Sequence, residues 1–322
     1  MIKKIIITIV LIALVLGISY VLIFFSLISN TRKYNSSLEI DKETNTLYAT
    51  SEEIKILQLS DIQIDNLTEA ITPFNIVKEI IAKTKPDLIV LTGDNLGNSG
   101  GKKEITKLAK FMDSFEIPWA PVYGNHDYWA SVSIKKQNKV FEDSKYCLFK
   151  TGTVENSNGN YCYTIKRNNE AIYSLMFMDS MEEGFIPAHL TWYEETIKQI
   201  NEENNKIVSN MMFSHIPIPE LGLAYNEFQK NPSIGSGVVG EPLSLQKENV
   251  GIYSKAKELG STKLFAFGHD HINTLQIKYE DIVFSYGIKT GLTSYYDESI
   301  QGGCLYTIKK DSTFEIERII TW

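Results

Sequence analysis

The chain has 322 residues, of which 43% are hydrophobic and 22% are charged. This composition excludes a disordered, collagen-like or low-complexity protein, and the length allows a sizeable hydrophobic core. The three cysteines are too few and too scattered for a disulfide framework or a cysteine-based zinc site. The formal net charge of −7 argues against binding of nucleic acid through a basic surface, so no such partner is expected.

Residues 5–28 form an uninterrupted run without charge, IIITIVLIALVLGISYVLIFFSLI. As a helix rising about 1.5 Å per residue, this run is long enough for a hydrocarbon core of roughly 30 Å. A secretory signal peptide has a shorter apolar region of about 7–15 residues, followed by its cleavage site. The best such site here, Gly17-Ile18-Ser19, lies inside the run. We therefore predict an uncleaved, single-pass membrane anchor at residues 1–33, in contact with the bilayer through residues 5–28.

The charges beside this run predict its orientation. Lys3, Lys4 and the amino terminus lie on one side, and Arg32 and Lys33 lie on the other. The excess on the first side favours a cytoplasmic N-terminus and therefore an extracytoplasmic domain. The rest of the chain carries 28 Lys and Arg against 39 Asp and Glu, a net charge of −11.

Beyond the anchor, the chain divides into a short polar segment and one large domain. Residues 34–52 show no clear period and are predicted to form a stalk with a short strand around Leu38–Ile40, which leaves 53–322 as the folded domain. Short apolar runs then alternate with amphipathic segments, which predicts an α/β domain with a largely buried sheet. The predicted strands are 54–59, 88–92, 119–123, 173–179, 208–213 and 263–267, followed by three more near the C-terminus. One predicted helix starts at Thr72-Pro73, and the others cover 103–115, 133–144, 189–204 and about 250–259.

Two segments do not follow this alternation. Residues 145–170 are predicted to form a loop with a hairpin, because Asn158-Gly159 is a turn signal. Residues 219–247 contain Pro, Gly and Ser without a period, so a long functional loop is expected there.

Five of the predicted strands are each followed within two or three residues by a potential metal ligand. Because ligand sites in open α/β sheets lie at the carboxyl ends of the strands, these groups are expected to converge. Each motif alone is explained as well by a turn or a satisfied core histidine. However, four of the five histidines in the chain fall in these motifs. Asp, Asn and His without Cys suit Mn, Fe, Zn or Mg. The motifs are SDIQ (60–63), GDN (93–95), GNHD (124–127), SH (214–215) and GHDH (268–271).

These motifs resemble the five ordered motifs of the calcineurin-like metallophosphoesterases, from about Ile54 to about Tyr295. The resemblance implies a four-layer αββα sandwich of two mixed sheets flanked by helices. It also implies hydrolysis of a phosphate-ester substrate, either a phosphomonoester or a phosphodiester. Several further segments are similar to the branch related to purple acid phosphatases: Gly159-Asn160-Tyr161, residues 177–180, Trp192-Tyr193, residues 215–220 and residues 287–291.

The resemblance also implies a role for each motif residue. Two divalent ions are expected, with Asp94 bridging them, Asp61 and His271 completing the first position, and Asn125, His215 and His269 completing the second. His126 is expected to be catalytic rather than a ligand, because it would face the phosphate and stabilise or protonate the leaving oxygen. Asp127 is a candidate for orienting a ligand from behind.

The sequence departs from the family pattern in two places. Gln63 stands where the family usually has a histidine ligand, so it is either a weaker ligand or a neighbouring contact. This change motivates an alternative, a degenerate member that binds metal or phosphate without turnover. Gly97 stands where purple acid phosphatases have a tyrosine, so an iron–tyrosinate site is not expected. The fifth histidine, His189, is expected on the surface of a helix. A further alternative for the whole protein is a structural membrane protein in which the motifs occur by accident.

Overall fold

The computed structural model describes residues 2–29 and 31–321. Its α-helices are α1 (Ile2–Ser29), α2 (Ile71–Thr84), α3 (Lys102–Asp113), α4 (Asn125–Trp129), α5 (Ile134–Glu142), α6 (Pro187–Asn204), α7 (Glu220–Lys230) and α8 (Ile252–Leu259). Its strands are β1 (Leu38–Asp41), β2 (Thr46–Ala49), β3 (Ile54–Leu59), β4 (Leu88–Thr92), β5 (Trp119–Val122), β6 (Tyr161–Arg167), β7 (Glu170–Phe177), β8 (Asn210–Phe213), β9 (Gly235–Ser236), β10 (Thr262–Phe267), β11 (Gln276–Tyr279), β12 (Ile282–Tyr286), β13 (Gly302–Ile308) and β14 (Phe314–Ile320).

The strands form two mixed sheets. One has five strands in the order β14-β13-β3-β4-β5, and the other has nine in the order β1-β2-β6-β7-β8-β10-β12-β11-β9. Strands β3, β4 and β5 run parallel, as do β7, β8, β10 and β12. The carboxyl ends of these two parallel groups carry all five motifs, so the topology determines which loops can meet. The prediction of a two-sheet α/β fold is confirmed.

The main core lies between the two sheets. Strand β4, LIVLT, is buried along its whole length, which explains its continuous apolar sequence. Contacts such as that between the rings of Phe213 and Tyr306, whose centroids are 5.9 Å apart, join the sheets. A second core covers the other face of the nine-stranded sheet, where Met212 and Phe265 are buried with Tyr193 of α6 and Ala256 of α8.

Helix α2 shows how the flanking layers form. It buries Phe74, Val77 and Ile81, which recur at helical spacing along one face. The helix ends at Thr84. The next residue, Lys85, has a left-handed backbone, and its N–H donates to the Ile81 carbonyl. Phe74 stacks on Phe111 of α3 with ring centroids 4.0 Å apart, so the two outer helices share one apolar contact.

The predicted stalk at residues 34–52 is wrong. Strands β1 and β2 lie in this segment, and β2 pairs in parallel with β6, so the segment belongs to the nine-stranded sheet. Leu38 and Leu47 are buried in the main core. The strand expected around Leu38–Ile40 is β1, whereas β2 is only four residues long and too short to give a readable alternation.

The two irregular segments also differ from the prediction. The region 219–247 contains helix α7, which buries Leu221 and Ala224, a short 3₁₀ turn at Pro232–Ile234 and strand β9, so only the rest is an extended loop. The hairpin is formed by β6 and β7 and turns at Asn168-Asn169, where both residues have positive φ. Asn158-Gly159 instead lies before β6 and is not the hairpin turn.

Helix α1 covers the predicted membrane anchor. Part of the predicted span at residues 5–28 lies outside the residues whose side chains the structure describes. Among the described residues, no helix reaches the combination of length and apolarity that a membrane crossing requires. The anchor and its orientation are not supported by this finding and stay predictions.

Candidate metal centre

The motif residues lie just beyond the carboxyl ends of the parallel strands. Asp61 follows β3 by two residues, and Asp94 follows β4 by two. Asn125 and His126 begin helix α4 directly after β5 and its turn. His215 follows β8, and His269 and His271 follow β10 in the other sheet. The two sheets therefore contribute ligand candidates to one edge of the sandwich.

Several motif residues at this edge have a left-handed backbone conformation. Asp61, Gln63, Asp94 and His269 all have positive φ, between 49° and 81°. Non-glycine residues rarely adopt this conformation, and such residues cluster at functional sites. Gly93 has φ of 86°, and a Cβ there would overlap the His215 ring. The glycine before Asp94 is thus required by the close approach of the two sheets.

Asp61, Asp94 and His271 form the first candidate position, called here the Asp61 position. One ligand atom of each lies within 4.8 Å of the others, and all three side chains are buried. The Nε2 atom of His271 is 3.5 Å from Oδ1 of Asp61. That Oδ1 atom is buried and has no hydrogen-bond partner among the described residues.

The second candidate position, called the His215 position, shares Asp94 with the first. Nε2 of His215 is 3.3 Å from Oδ1 of Asp94, and Nδ1 of His269 is 3.2 Å from Nε2 of His215. The backbone N–H of His126 donates to Oδ1 of Asp94 at 2.9 Å, which places the preceding residue, Asn125, beside Asp94. Oδ1 of Asn125 is also buried and lacks a partner within the described part of the chain.

These two orphaned oxygens test whether divalent ions fit the site. A buried polar atom without a partner costs free energy of about 1–3 kcal/mol, and a bound cation offsets this cost where the atom is an oxygen. Here one orphaned oxygen belongs to each candidate position, Oδ1 of Asp61 and Oδ1 of Asn125. Carboxylate, amide oxygen and imidazole are suitable ligands for Mn, Fe, Zn or Mg. The residues present therefore fit divalent cations at both positions.

The three histidines are oriented by contacts on their other ring nitrogens. Nδ1 of His215 lies 2.8 Å from the carbonyl oxygen of Thr92, and Nδ1 of His271 lies 3.0 Å from that of Tyr295. Because a carbonyl only accepts, both Nδ1 atoms carry hydrogen and both Nε2 atoms face the cluster. His269 is reversed, with Nε2 held by the Ser244 hydroxyl at 3.0 Å and Nδ1 inward. Such supporting contacts are typical of metal-binding histidines.

The charges of the cluster suit cation binding. Burial raises the pKa of Asp61 and Asp94, but the neighbouring histidines outweigh it and hold both pKa values below the usual range. Burial lowers the pKa of His215, but Asp94 and Asp61 outweigh that effect and raise it to about 10. The pKa of His269 falls to about 4, mainly through burial and then through the charge of His215. The two carboxylates are therefore ionised at neutral pH, as cation ligands must be.

Gln63 is not oriented as a metal ligand. Its carbonyl oxygen Oε1 accepts from Nζ of Lys289 at 2.6 Å, and its amide Nε2 donates to Oδ2 of Asp94 at 3.2 Å. An ammonium group only donates, so the amide oxygen must face Lys289 and the N–H groups must face Asp94. Of the two alternatives for Gln63, a weaker ligand or a neighbouring contact, this orientation favours the neighbouring contact.

Asp127 connects two of the motif loops. Its carboxylate accepts from the backbone N–H groups of Leu96 and Gly124, each at 2.9 Å, and of Asn95 at 3.2 Å. Burial first, and then the charge of Asp94, raises the pKa of Asp127 to about 7. Asp127 touches no ligand side chain in these contacts. It holds together the loops that carry Asp94 and Asn125.

His126 lies beside the cluster and opens onto a cavity of about 270 Å³. Its Nδ1 is 2.7 Å from Oδ1 of Asn98, and its Nε2 is 3.8 Å from Oδ2 of Asp94. The side chain is 27% exposed, and its ring lies against Trp129 with centroids 5.0 Å apart. Glu241 and Tyr295 line the same cavity. The ring of Tyr295 lies against that of His271, with centroids 4.3 Å apart.

The sequence did not predict the environment of His189. This residue is fully buried rather than on the surface, and its Nε2 is 2.9 Å from the Ser157 hydroxyl. That hydroxyl donates to Asp179, which also accepts from Tyr128 of helix α4. Burial raises the pKa of Asp179 to about 6 and lowers that of His189 to about 4. The network supports the helix that carries His126 and lies outside the cluster.

Comparison with known proteins identifies the family. A profile of the family described as calcineurin-like phosphoesterase matches residues 54–273, more than half of the chain. The chain belongs to this family. The matched range contains all five motifs, and Lys289 lies beyond it.

Individual relatives are distant. The chain is 25% identical over 294 residues to the Arabidopsis thaliana protein named "Probable inactive purple acid phosphatase 29", a match covering 77% of this chain and 74% of the relative. It is 28% identical to the Saccharomyces cerevisiae protein "Phosphatase DCR2", covering 76% of this chain and 48% of the relative. A dimetal phosphatase structure from Danio rerio matches with a TM-score of 0.49 and 9% identity, over 83% of this chain and 99% of that one.

Proposed function

We propose that this protein is a phosphoesterase that hydrolyses a phosphomonoester or phosphodiester at a centre of two divalent ions. One observation carries the proposal. Two orphaned buried oxygens, Oδ1 of Asp61 and Oδ1 of Asn125, belong to residues next to a common carboxylate, Asp94, which lines a cavity. The family membership supports the reaction class, and the ions proposed are Mn, Fe, Zn or Mg.

The proposed roles follow from the contacts. Asp94 lies between the two positions and offers one oxygen toward His215 and the other toward Gln63, so it is the bridging ligand. Asp61 and His271 complete the Asp61 position, and Asn125, His215 and His269 complete the His215 position. When bound, the ions would supply positive charge to the phosphate and lower the pKa of a water for attack on it.

His126 is the proposed catalytic acid. Its Nδ1–H donates to Asn98 Oδ1, which fixes the ring and leaves Nε2 to carry a proton toward the leaving oxygen. The ring lines the cavity together with Asp94, so a phosphate held by the centre lies within its reach. Trp129 packs on its other side and limits the rotation of the ring.

A second candidate function is metal or phosphate binding without turnover. It is favoured by Gln63, which gives its amide oxygen to Lys289 and so adds no ligand. Some relatives also carry "inactive" in their names. The two functions differ in one outcome, since the degenerate member retains its ions and hydrolyses nothing.

The discriminating experiment uses the full chain, stripped of metal and supplied separately with Mn²⁺, Fe²⁺, Zn²⁺ or Mg²⁺. Hydrolysis of an aryl phosphate and of a bis-aryl phosphate is followed. We expect turnover of at least one substrate, and its loss in Asp94→Asn and His215→Ala. Asp281→Asn is the matched control, because it removes a carboxylate from an exposed turn at the opposite end of β12. Ion binding without turnover under all four conditions would favour the degenerate member.

A further inference from the structure

Lys289 places a buried ammonium group beside the Asp61 position. It follows β12 and is 2% exposed. Its Nζ atom donates to the backbone oxygen of Asp61 at 3.1 Å and to Oε1 of Gln63 at 2.6 Å. The lysine nitrogen therefore donates directly to the backbone of a proposed cation ligand, Asp61.

The Gln63 amide is polarised by this lysine. Because its oxygen is taken by Lys289, its N–H groups point at Oδ2 of Asp94, at 3.2 Å. An N–H group cannot bind a cation, and this one competes for a carboxylate oxygen that would otherwise face the metal. The residue that occupies the usual ligand place therefore opposes binding there.

The two positions consequently differ in donors. The His215 position has four protein ligands, which are Asp94, Asn125, His215 and His269. The Asp61 position has three, which are Asp61, Asp94 and His271. The Asp61 position also has the Lys289 ammonium behind it, and like charges in a buried site repel more strongly than in water.

We propose that Lys289 and Gln63 make the two metal positions unequal, so that the His215 position holds its ion tightly and the Asp61 position binds its ion weakly and exchangeably. The resting protein then carries one ion, and the second joins only at higher free metal. This inference rests on the metal centre of the proposed function. It adds Lys289 as a positioning residue that acts through Gln63.

Changes to the groups around a metal ligand shift its affinity by about 10- to 100-fold. We therefore expect Mn²⁺ to bind in two steps whose dissociation constants differ by about that factor or more. The full, metal-stripped chain is titrated with Mn²⁺, and the free ion is counted by its electron paramagnetic resonance signal. Magnetic coupling between two bound ions is expected only as the second step fills.

Variants assign the two steps. Gln63→His and Lys289→Met are each expected to tighten the weaker step by about 10-fold or more, while Lys206→Met leaves both unchanged. Lys206 is an exposed lysine at the end of α6, so it controls for the loss of one positive charge. His271→Ala is expected to remove the weaker step, and His215→Ala the tighter one. Lys289→Gln replaces Lys289→Met if the latter does not fold.

Several results would overturn the inference. These are two equally tight ions in the unaltered chain, an unchanged separation in both Gln63→His and the Lys289 variant, or loss of the tighter step in His271→Ala. None of them bears on turnover, so the proposed function would stand. Conversely, two unequal binding steps without hydrolysis at full occupancy would keep the inference and remove the proposed function.

Discussion

Metal binding is predicted to release a proton from His215. In the metal-free protein, Asp94 and Asp61 outweigh the effect of burial and raise the pKa of His215 to about 10. Its imidazole is therefore protonated at neutral pH, whereas a metal ligand must offer a free nitrogen lone pair. The pKa of His269 is lowered to about 4, so this ligand has no proton to lose. Each chain should thus release about one proton from its histidines when the His215 position fills.

The magnitude follows from the pKa of His215. A pH of about 7.5 lies some 2.5 units below the pKa of this imidazole. Displacing the proton therefore lowers the apparent affinity for the metal by about 300-fold relative to the fully deprotonated imidazole. Between about pH 7 and 9 the apparent affinity is expected to rise roughly tenfold per pH unit. The affinity rises with pH because the metal-bound protein carries fewer protons than the metal-free protein.

Isothermal titration calorimetry provides the measurement. Zn²⁺ or Mn²⁺ binding to the metal-stripped chain is measured in buffers that differ in ionisation enthalpy, and the slope gives the number of protons released. An Asp281→Asn control should give the same slope as the unaltered chain. A slope of zero, together with an affinity that does not change between pH 7 and 9, would refute the reasoning.

Three further results are expected. His126→Ala should lower kcat by about 10²- to 10⁴-fold while the number of bound ions, measured by mass spectrometry, stays the same; a loss of bound metal would contradict its role as an acid. Phe111→Ala should lower the free energy of unfolding by about 3–5 kcal/mol in denaturant titrations, because this buried ring stacks on Phe74; a cost below about 1 kcal/mol would contradict the packing. Protease added to intact cells should remove the domain if residues 5–28 anchor it extracytoplasmically, and complete protection would overturn that proposal.

The convergence of the motifs was predictable from the sequence because it depends on topology rather than on detail. Parallel strands end at one edge, so Asp61 and Asp94 had to be neighbours once β3 and β4 were recognised. The same argument joined His215 and His269, which follow the parallel strands β8 and β10. The family resemblance then supplied the pairing of the two sheets, which strand patterns alone do not give.

The errors share a physical cause, which is that they depend on long-range contacts. Leu47 belongs to a very short strand, β2, which pairs with β6 more than a hundred residues away in the chain. His189 is buried partly because Ser157, 32 residues earlier in the chain, binds its Nε2. The nearby Phe185 also packs on its ring, with centroids 5.1 Å apart, but the pattern of the helix does not signal the contact with Ser157.

Gln63 illustrates the same limit at the site itself. The sequence shows that an amide replaces an imidazole, but the direction of that amide is set by Lys289, 226 residues away in the chain. The only available signal was the segment 287–291, which resembles the purple acid phosphatase branch without a stated role. The orientation of a ligand candidate therefore required the tertiary structure.

The central claim is that hydrolysis depends on the ions held by the motif residues. The most direct test measures bound metal and the rate of aryl-phosphate or bis-aryl-phosphate hydrolysis in the same samples as metal is returned to the stripped chain. We predict no turnover without metal, a rate that rises with occupancy of the Asp61 and His215 positions, and no such rise in Asp94→Asn. Full occupancy of both positions without hydrolysis of either substrate would contradict the claim.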